Sequence, residues 1–481
     1  MRSVLPDVVV GIDVGTTSVK VLALELATGA ELAQETVGYP THVTTEGAHE
    51  QEPESWWDAV IQCTRRVTTR VGSSSVRAVG LAGHMHSLLL IDSADRPVGP
   101  AMTWADRRVG EQTKRLGANP EFEKATGNSV VDAFTAPKLS WFAARYPDRV
   151  RRARRLVLAK DFVRFKLTGI WATDETDAIG TLLYDLHRRD WSDTLWQASG
   201  APRSLAPPVL RSVEVSGRMR ADAARLTGFP PGVPVIVGAG DVPAAVTGSG
   251  VVHPGQICVN VGTAAQVMGL SEHARAGSGF VFGAATGSRF VVMASLYAAG
   301  ASISWAESTL LHGQDINDSA ALAPAGCDGL TYLPFMFGAT VPVKNDATRA
   351  AFINQTDRHT VAHLARAVLE GVAFGCADAV TAVAEVVGYP HEIRIVGGVT
   401  HSGLWRAAFG SVVDAELTWL RSGGSARGAA VLAAIGSGAW TSPTDGDSGL
   451  RAEPVSRAPS RERAFFAAAY RRYQKACARI L

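Results

Sequence analysis

The sequence has almost no excess charge: 47 Lys and Arg against 45 Asp and Glu leave +2 over 481 residues. With no strong field to attract a polyanion, neither nucleic acid nor an anionic membrane is expected as a main partner. It is also poor in cysteine. Cys63, Cys258, Cys327, Cys376 and Cys477 are odd in number and scattered, without CxxC spacing, so neither a disulfide framework nor a zinc site is expected. Residues 1–7 reach a charge before an apolar leader could form, and no apolar run of about 18 residues suggests a membrane span. The expectation is a cytoplasmic protein. GxxxxGK[ST] and GxGxxG are both missing, which leaves the P-loop and nicotinamide-dinucleotide readings weak.

What is present fits a large α/β protein. Hydrophobic residues make up 46% and charged residues 19% of the chain, as in ordinary globular proteins. At ~150 residues per domain the length gives about three domains, or two large ones. The 48 glycines exceed average usage and suit tight turns and close backbone approach to a ligand. Residues 8–24 read as two strands around a Gly/Thr/Ser turn. Helical patterns at 53–70, 362–386, 428–435 and 460–481 alternate with strand patterns at 77–81, 233–237, 256–270 and 393–398. The basic run at 149–155 reads as the solvated face of a helix.

An internal repeat lies inside this pattern. A shift of 247 positions (260 − 13) places Asp13-Val14-Gly15-Thr16 on Asn260-Val261-Gly262-Thr263, with apolar Val10 and Ile12 on Ile257 and Val259. Each copy is a strand, a Gly-Thr turn and a returning strand, and each opens one half of the chain. Two such turns facing one another could hold a polyphosphate through backbone N–H groups and hydroxyls.

Three stretches carry candidate chemistry. In Gly11–Lys20, Thr16, Thr17 and Ser18 offer donors to phosphate, and Asp13 ends a buried strand. That carboxylate needs a cation or hydrogen bonds, and either Mg²⁺ with its water shell or a hairpin cap would serve. In Gly238-Ala239-Gly240-Asp241, the carboxylate leaves a strand through a glycine turn, where it could be a general base or a helix N-cap. In Gly83-His84-Met85-His86, the histidines suit substrate contact or the core better than a metal, since no third ligand is in sight. Asp174, Glu175 and Asp177 read as the start of a helix and are assigned no chemistry.

These residues carry a resemblance. With EQEPESWW (50–57), GHMHS (83–87), TWADRR (103–108), FTAPKLSW (134–141), AKDFVRFKLTG (159–169), DETDAIGTLLYD (174–185), LARAVLEGVAF (364–374) and VGGVTHSGLWR (396–406), the chain resembles the FGGY family of carbohydrate kinases, most of all its xylulokinases. The resemblance implies an actin-like ATPase (ribonuclease H-like) fold, with two duplicated domains around a nucleotide and sugar cleft. On this reading 8–248 is the N-terminal domain, 252–440 the C-terminal domain, and 441–481 a loop and closing helix. It implies ATP and Mg²⁺, a ketose acceptor such as D-xylulose, and room for a homodimer. Asp241 matches the family's base and also touches sugar with Met85, His86, Trp104 and Asp106. Thr16, Thr17, Ser18, Gly262 and Thr263 match its phosphate turns, Gly300, Gly398 and Ser402 its nucleotide contacts, and Asp13 the acid near Mg²⁺. Departures concern the acceptor: Val242 stands where Asn is common, and Ala339-Thr340 replaces a charge pair. Ribulose, sedoheptulose or a polyol are the alternative acceptors, and a nucleotide- or sugar-binding sensor without turnover is the alternative class.

Overall fold

The computed structural model describes residues 5–275, 277–345 and 347–481; residues 1–4, on which part of the leader reading rests, lie outside them. The chain forms two compact units. Unit 1 runs to Val252 and adds Val281–Phe290 and Gly423–Leu450, while unit 2 takes His253–Phe280, Val291–Ser422 and Arg451–Leu481. This division differs from the linear partition at 252–440. Gly423–Leu450 packs with unit 1 because its helix, Ser425–Gly436, covers one face of that unit's sheet.

In unit 1 the strands run in the order Val215–Arg218, Pro234–Ile236, Val76–Gly83, Val8–Val14, Ser18–Glu25, Glu31–Gly38, with Ala239–Gly240 also pairing Val76–Gly83. Apart from Asp13, Val8–Val14 is apolar rather than alternating because both its faces are covered. Val8, Val10, Ile12 and Val14 pack with Trp56, Val60, Cys63 and Val67 of the helix Pro53–Val71. Val9 belongs to the opposite face, with Ala426, Ala430 and Ala433. There the helix lies almost on the strands: a Cβ on Gly11 would come within 2.0 Å of the Ala426 carbonyl oxygen, and one on Gly80 within 2.0 Å of that of Ala429.

Unit 2 repeats the motif. Gln256–Val261 pairs antiparallel with Ala265–Ser271 and parallel with Glu392–Val396, as Val8–Val14 pairs with Ser18–Glu25 and Val76–Gly83. The turns differ by one residue: the Gly15 N–H donates to Ser18 O, three positions on, and the Gly262 N–H to Ala264 O, two positions on, both at 3.0 Å. Among the described residues one helix, Val361–Val387, is long and apolar enough to cross a membrane, where the sequence reading finds no such run. Its most apolar window has mean hydropathy 1.6 and is 94% buried, with Val372, Phe374 and Val380 against Ile257, Val259 and Trp405. It is a core helix. The basic run splits between the helix Pro147–Arg152 and the strand Ala153–Val157, and Arg149, Arg151, Arg152 and Arg154 are exposed as expected.

The close approach at Gly11 gives a stability prediction. Gly11→Ala drives a methyl group into backbone that cannot yield, costing ~3 kcal/mol or more and lowering the Tm by roughly 6–12 °C. Gly110→Ala, where a Cβ meets nothing within 4 Å, is the control and should leave the Tm unchanged or slightly raised. Thermal unfolding of the two variants beside the parent checks both.

Candidate functional site

Three strands of unit 1 end at one level. Val14 and Gly240 both pair with Gly83, and the His84 N–H donates to Val14 O at 2.8 Å. The segments leaving those ends therefore start side by side: the turn 15–18, the segment His84-Met85-His86, and Asp241. Gly238 makes this possible. It has φ +83°, and a Cβ there would sit 2.0 Å from Leu81 O. Gly240 leaves room for Met85, whose Cγ would lie 2.6 Å from a Cβ.

Asp241 opens the helix Asp241–Gly248 from its first turn, and Gly240 takes the N-cap position. Its carboxylate accepts from the Val242 N–H at 2.9 Å and from the Met85 N–H. Protein surrounds the carboxyl while part of the residue's surface stays open. Burial, and then the negative charge of Asp13, push its pKa up to about 7. Asp13 is raised for the same first reason, opposed by a hydrogen bond from Ser425 Oγ (2.5 Å) and by Lys20, its cross-strand neighbour. Asp13 Oδ1 is buried and has no hydrogen-bond partner. An orphaned carboxylate oxygen beside a phosphate-type turn fits Mg²⁺, which binds through one or two carboxylates, water and phosphate. Among the described residues no group of three or more acidic, His or Cys side chains could hold a metal by itself.

The turn 15–18 is braced from outside. Tyr39 OH donates to Gly15 O, Gln51 Nε2 donates to Thr16 O at 2.6 Å, and Trp104 Nε1 donates to Thr16 Oγ1 at 2.9 Å. Thr17 is exposed and Ser18 half-buried. Neither Tyr39 nor Gln51 was a candidate, because their partners are backbone oxygens that no motif marks.

The expected acceptor residues divide. His86 adopts φ +70° and donates its Nδ1–H to Gly180 O at 2.7 Å, which leaves Nε2 as an acceptor. Burial holds its pKa down at about 3, so the ring is neutral. Phe134 and Phe282 pack on it with ring centroids 4.6 Å and 5.7 Å away. His84 is a core histidine, buried against Trp56 and bonded to Ser87 Oγ at 2.7 Å. Asp106 is the exception. It has no exposed surface, and its oxygens accept from the His49 N–H and from the backbone and guanidinium of Arg108. Here it anchors Arg108 rather than presenting a free carboxylate. Trp104 stays half-buried on the phosphate-type turn.

Unit 2 holds a cavity of about 640 Å³ lined by Gly262, Thr263, Gly300, Gly398 and Ser402, five of the expected nucleotide contacts. Gly300 N–H donates to Gly262 O at 2.9 Å, and a Cβ on Gly300 would come within 2.5 Å of that oxygen. Gly397, with φ +106° and only 2.5 Å from Val261 O to a Cβ, is the glycine the turn demands. Gly398 instead faces open space. Ser402 caps the helix Gly403–Val412 through the Trp405 N–H and donates to Asn317 Oδ1. Glu307, Asp315 and Asn317 also line it; no motif around them announces this.

Two family models match the chain. Residues 8–248 match the N-terminal domain, and residues 257–437 the C-terminal domain, of the FGGY family of carbohydrate kinases. The chain belongs to this family. Its fold is the two-domain actin-like ATPase fold, and it is an ATP-dependent sugar kinase; sugar kinases of this family use ATP, generally with Mg²⁺. The xylulose kinase of Escherichia coli (strain K12) is 31% identical over 443 residues, 89% of each chain. The crystal structure of xylulose kinase from Rhodospirillum rubrum superposes with a TM-score of 0.88 at 26% identity, covering 98% of each chain. A gluconokinase of Bacillus subtilis (strain 168) is 25% identical, covering 85% of this chain and 83% of its own.

The raised pKa of Asp241 sets a pH dependence. Below about 7 the carboxyl is protonated and cannot accept a proton; above it the carboxylate is present. Acceptor kcat/KM should fall about tenfold per pH unit on the acid side of a limb at or below about 7, a bound cation at Asp13 moving it down. The sign for stability is opposite. A folded-state pKa raised above its unfolded value stabilises the fold at low pH, and that contribution is lost as pH rises through about 7. Initial rates and urea midpoints between pH 5.5 and 8.5 check both.

Proposed function

We propose that the kinase phosphorylates a ketose, D-xylulose to D-xylulose 5-phosphate, with Asp241 as general base. The observation that carries this reading is a carboxylate poised near neutral pH, one residue beyond Gly240 and beside the Met85-His86 backbone. The sugar O–H gives its proton to Asp241, the oxygen bonds to the γ-phosphorus of ATP, and ADP leaves. His86 Nε2 accepts from an acceptor hydroxyl, while Met85 and Trp104 shape the apolar side. Asp106, being fully paired, acts on the acceptor only through Arg108. Thr16, Thr17 and Ser18 in one unit, and Gly262 and Thr263 in the other, are the proposed phosphate contacts. Gly300, Gly398 and Ser402 are the proposed nucleoside contacts. Asp13 would hold Mg²⁺, which when bound neutralises phosphate charge. We read residues 8–248 as the acceptor-binding domain and the C-terminal half as the nucleotide-binding one.

Electrostatics supports a neutral sugar. Apart from Arg108, whose charge is paired by Asp106 and Glu50, none of the proposed acceptor side chains is cationic, the imidazole is neutral, and Asp13 and Asp241 are both acidic. An aldonate carboxylate would be repelled there, which weighs against gluconate. The similarity to xylulose kinases supports the same choice. Val242 is buried and apolar, so a hydrogen bond that an Asn could make is missing and discrimination among ketoses should be looser.

A coupled ADP-release assay over xylulose, ribulose, sedoheptulose, glycerol and gluconate checks the substrate. D-xylulose should give the largest kcat/KM and gluconate the smallest. If another ketose or a polyol wins, the acceptor assignment falls; if no sugar stimulates ADP release, the sensor reading replaces it. Asp241→Asn should lower turnover roughly 10²–10⁴-fold with nucleotide affinity unchanged by calorimetry.

A further inference from the structure

Asp241 hangs from a turn that has almost no sheet of its own. Ala239–Gly240 pairs over only two residues, and Gly238 breaks the strand before it. What fixes the turn is a buried polar assembly on its far side. Gly240 N–H donates to Thr176 Oγ1 at 2.8 Å, and Thr176 Oγ1 donates in turn to Asp174 Oδ2 at 2.6 Å. Asp174 also accepts from the Thr176 N–H (2.9 Å) and from Ser212 Oγ (2.8 Å). The backbone oxygen of Ser212 accepts from the Gly238 N–H at 2.9 Å. Arg164 Nη1 donates both to Asp161 Oδ1 (2.9 Å) and to Val237 O (3.2 Å). At the centre, Lys160 Nζ lies 2.7 Å from Asp161, 2.9 Å from Asp174 and 2.9 Å from Asp177.

Lys160, Asp161, Arg164, Asp174, Thr176 and Asp177 all have 0% exposure. Burying five ionisable side chains in one place is a poor way to gain stability, since well-packed apolar residues do as well or better. An apolar cluster, however, offers no acceptor to the Gly240 N–H and no donor to Val237 O. Burial, and then the neighbouring carboxylates of Asp174 and Asp161, push the Asp177 pKa up to about 8.

We propose that Thr176, held by Asp174 and Lys160, is a positioning residue for Asp241. It fixes the Gly240 peptide, and with it the direction in which the carboxylate leaves the turn. This inference rests on Asp241 being the base. Displacing a catalytic group by about 1 Å can cost ~10²-fold in rate. Thr176→Val keeps the shape and removes the acceptor, so kcat should fall 10–100-fold while the KM for ATP stays within twofold. Thr176→Ser, which retains Oγ, should restore kcat to within threefold of the parent. In the unmodified enzyme the Gly240 amide should exchange with solvent as slowly as the central strands, and in Thr176→Val at least tenfold faster.

Asp241→Asn, measured alongside, separates the two readings. If it loses activity while Thr176→Val keeps kcat within threefold, the positioning role is overturned and the base stands. Near-normal turnover in Asp241→Asn overturns both. A Thr176→Val enzyme whose kcat loss is not restored by Ser marks a merely structural residue, as does fast exchange at Gly240 in the unmodified enzyme, which can be read even if the Val variant does not fold.

Discussion

Val14, Gly83 and Gly240 sit in one row because their strands are parallel and paired in register, and the candidate chemistry of unit 1 depends on that row. A one-residue slip in any of the three would turn its side chains to the opposite face of the sheet. Register is protected by burial on both faces: Val8, Val10, Ile12 and Val14 interlock with one helix, and Gly11 and Gly80 accept the backbone of another. The close helix contact therefore contributes more than packing energy. It opposes a register slip and so fixes the level at which the strand ends leave the sheet.

The two carboxylates of this row influence one another. Neither Asp13 nor Asp241 is solvated as a surface acid would be, and each is pushed toward its protonated form. The penalty on Asp13 is relieved by Ser425 and Lys20, and the relief is incomplete, because Oδ1 keeps no partner. A cation taking up that oxygen would remove part of the repulsion felt by Asp241 and lower its pKa. Metal occupancy and the protonation state of the proposed base are thus linked through space.

Much of this was legible in the sequence because it is local. The repeat rests on Val14-Gly15-Thr16 and Val261-Gly262-Thr263, and a turn between two strands needs no distant partner to be recognised. Likewise GAGD announces a strand that ends in glycine and delivers an acid. The expectations that changed depend on long-range contacts. Ser425 reaches Asp13 across 412 positions, and Thr176 reaches Gly240 across 64. Asp106 looks like any available carboxylate until Arg108 and His49 close around it. Helix 361–387 meets a membrane-span criterion on composition, and only the strands and helices packed against it reveal a core element. Glu307 and Asn317 line the cavity of unit 2 without any local pattern to mark them.

Unit 1 is discontinuous, and this bears on how the chain is made. Its sheet is complete by about Gly240, but the helix that covers one face, with the serine that contacts Asp13, lies in Gly423–Leu450. During vectorial synthesis at ~5–20 residues per second, the nascent sheet waits on the order of ten to forty seconds for its cover. Throughout that interval Val9, Leu22, Leu24 and Ala78 present an open apolar face. The segment from His253 to Ser422, which holds most of unit 2, emerges meanwhile. The apolar face that waits longest for its cover is therefore the one built in the N-terminal half.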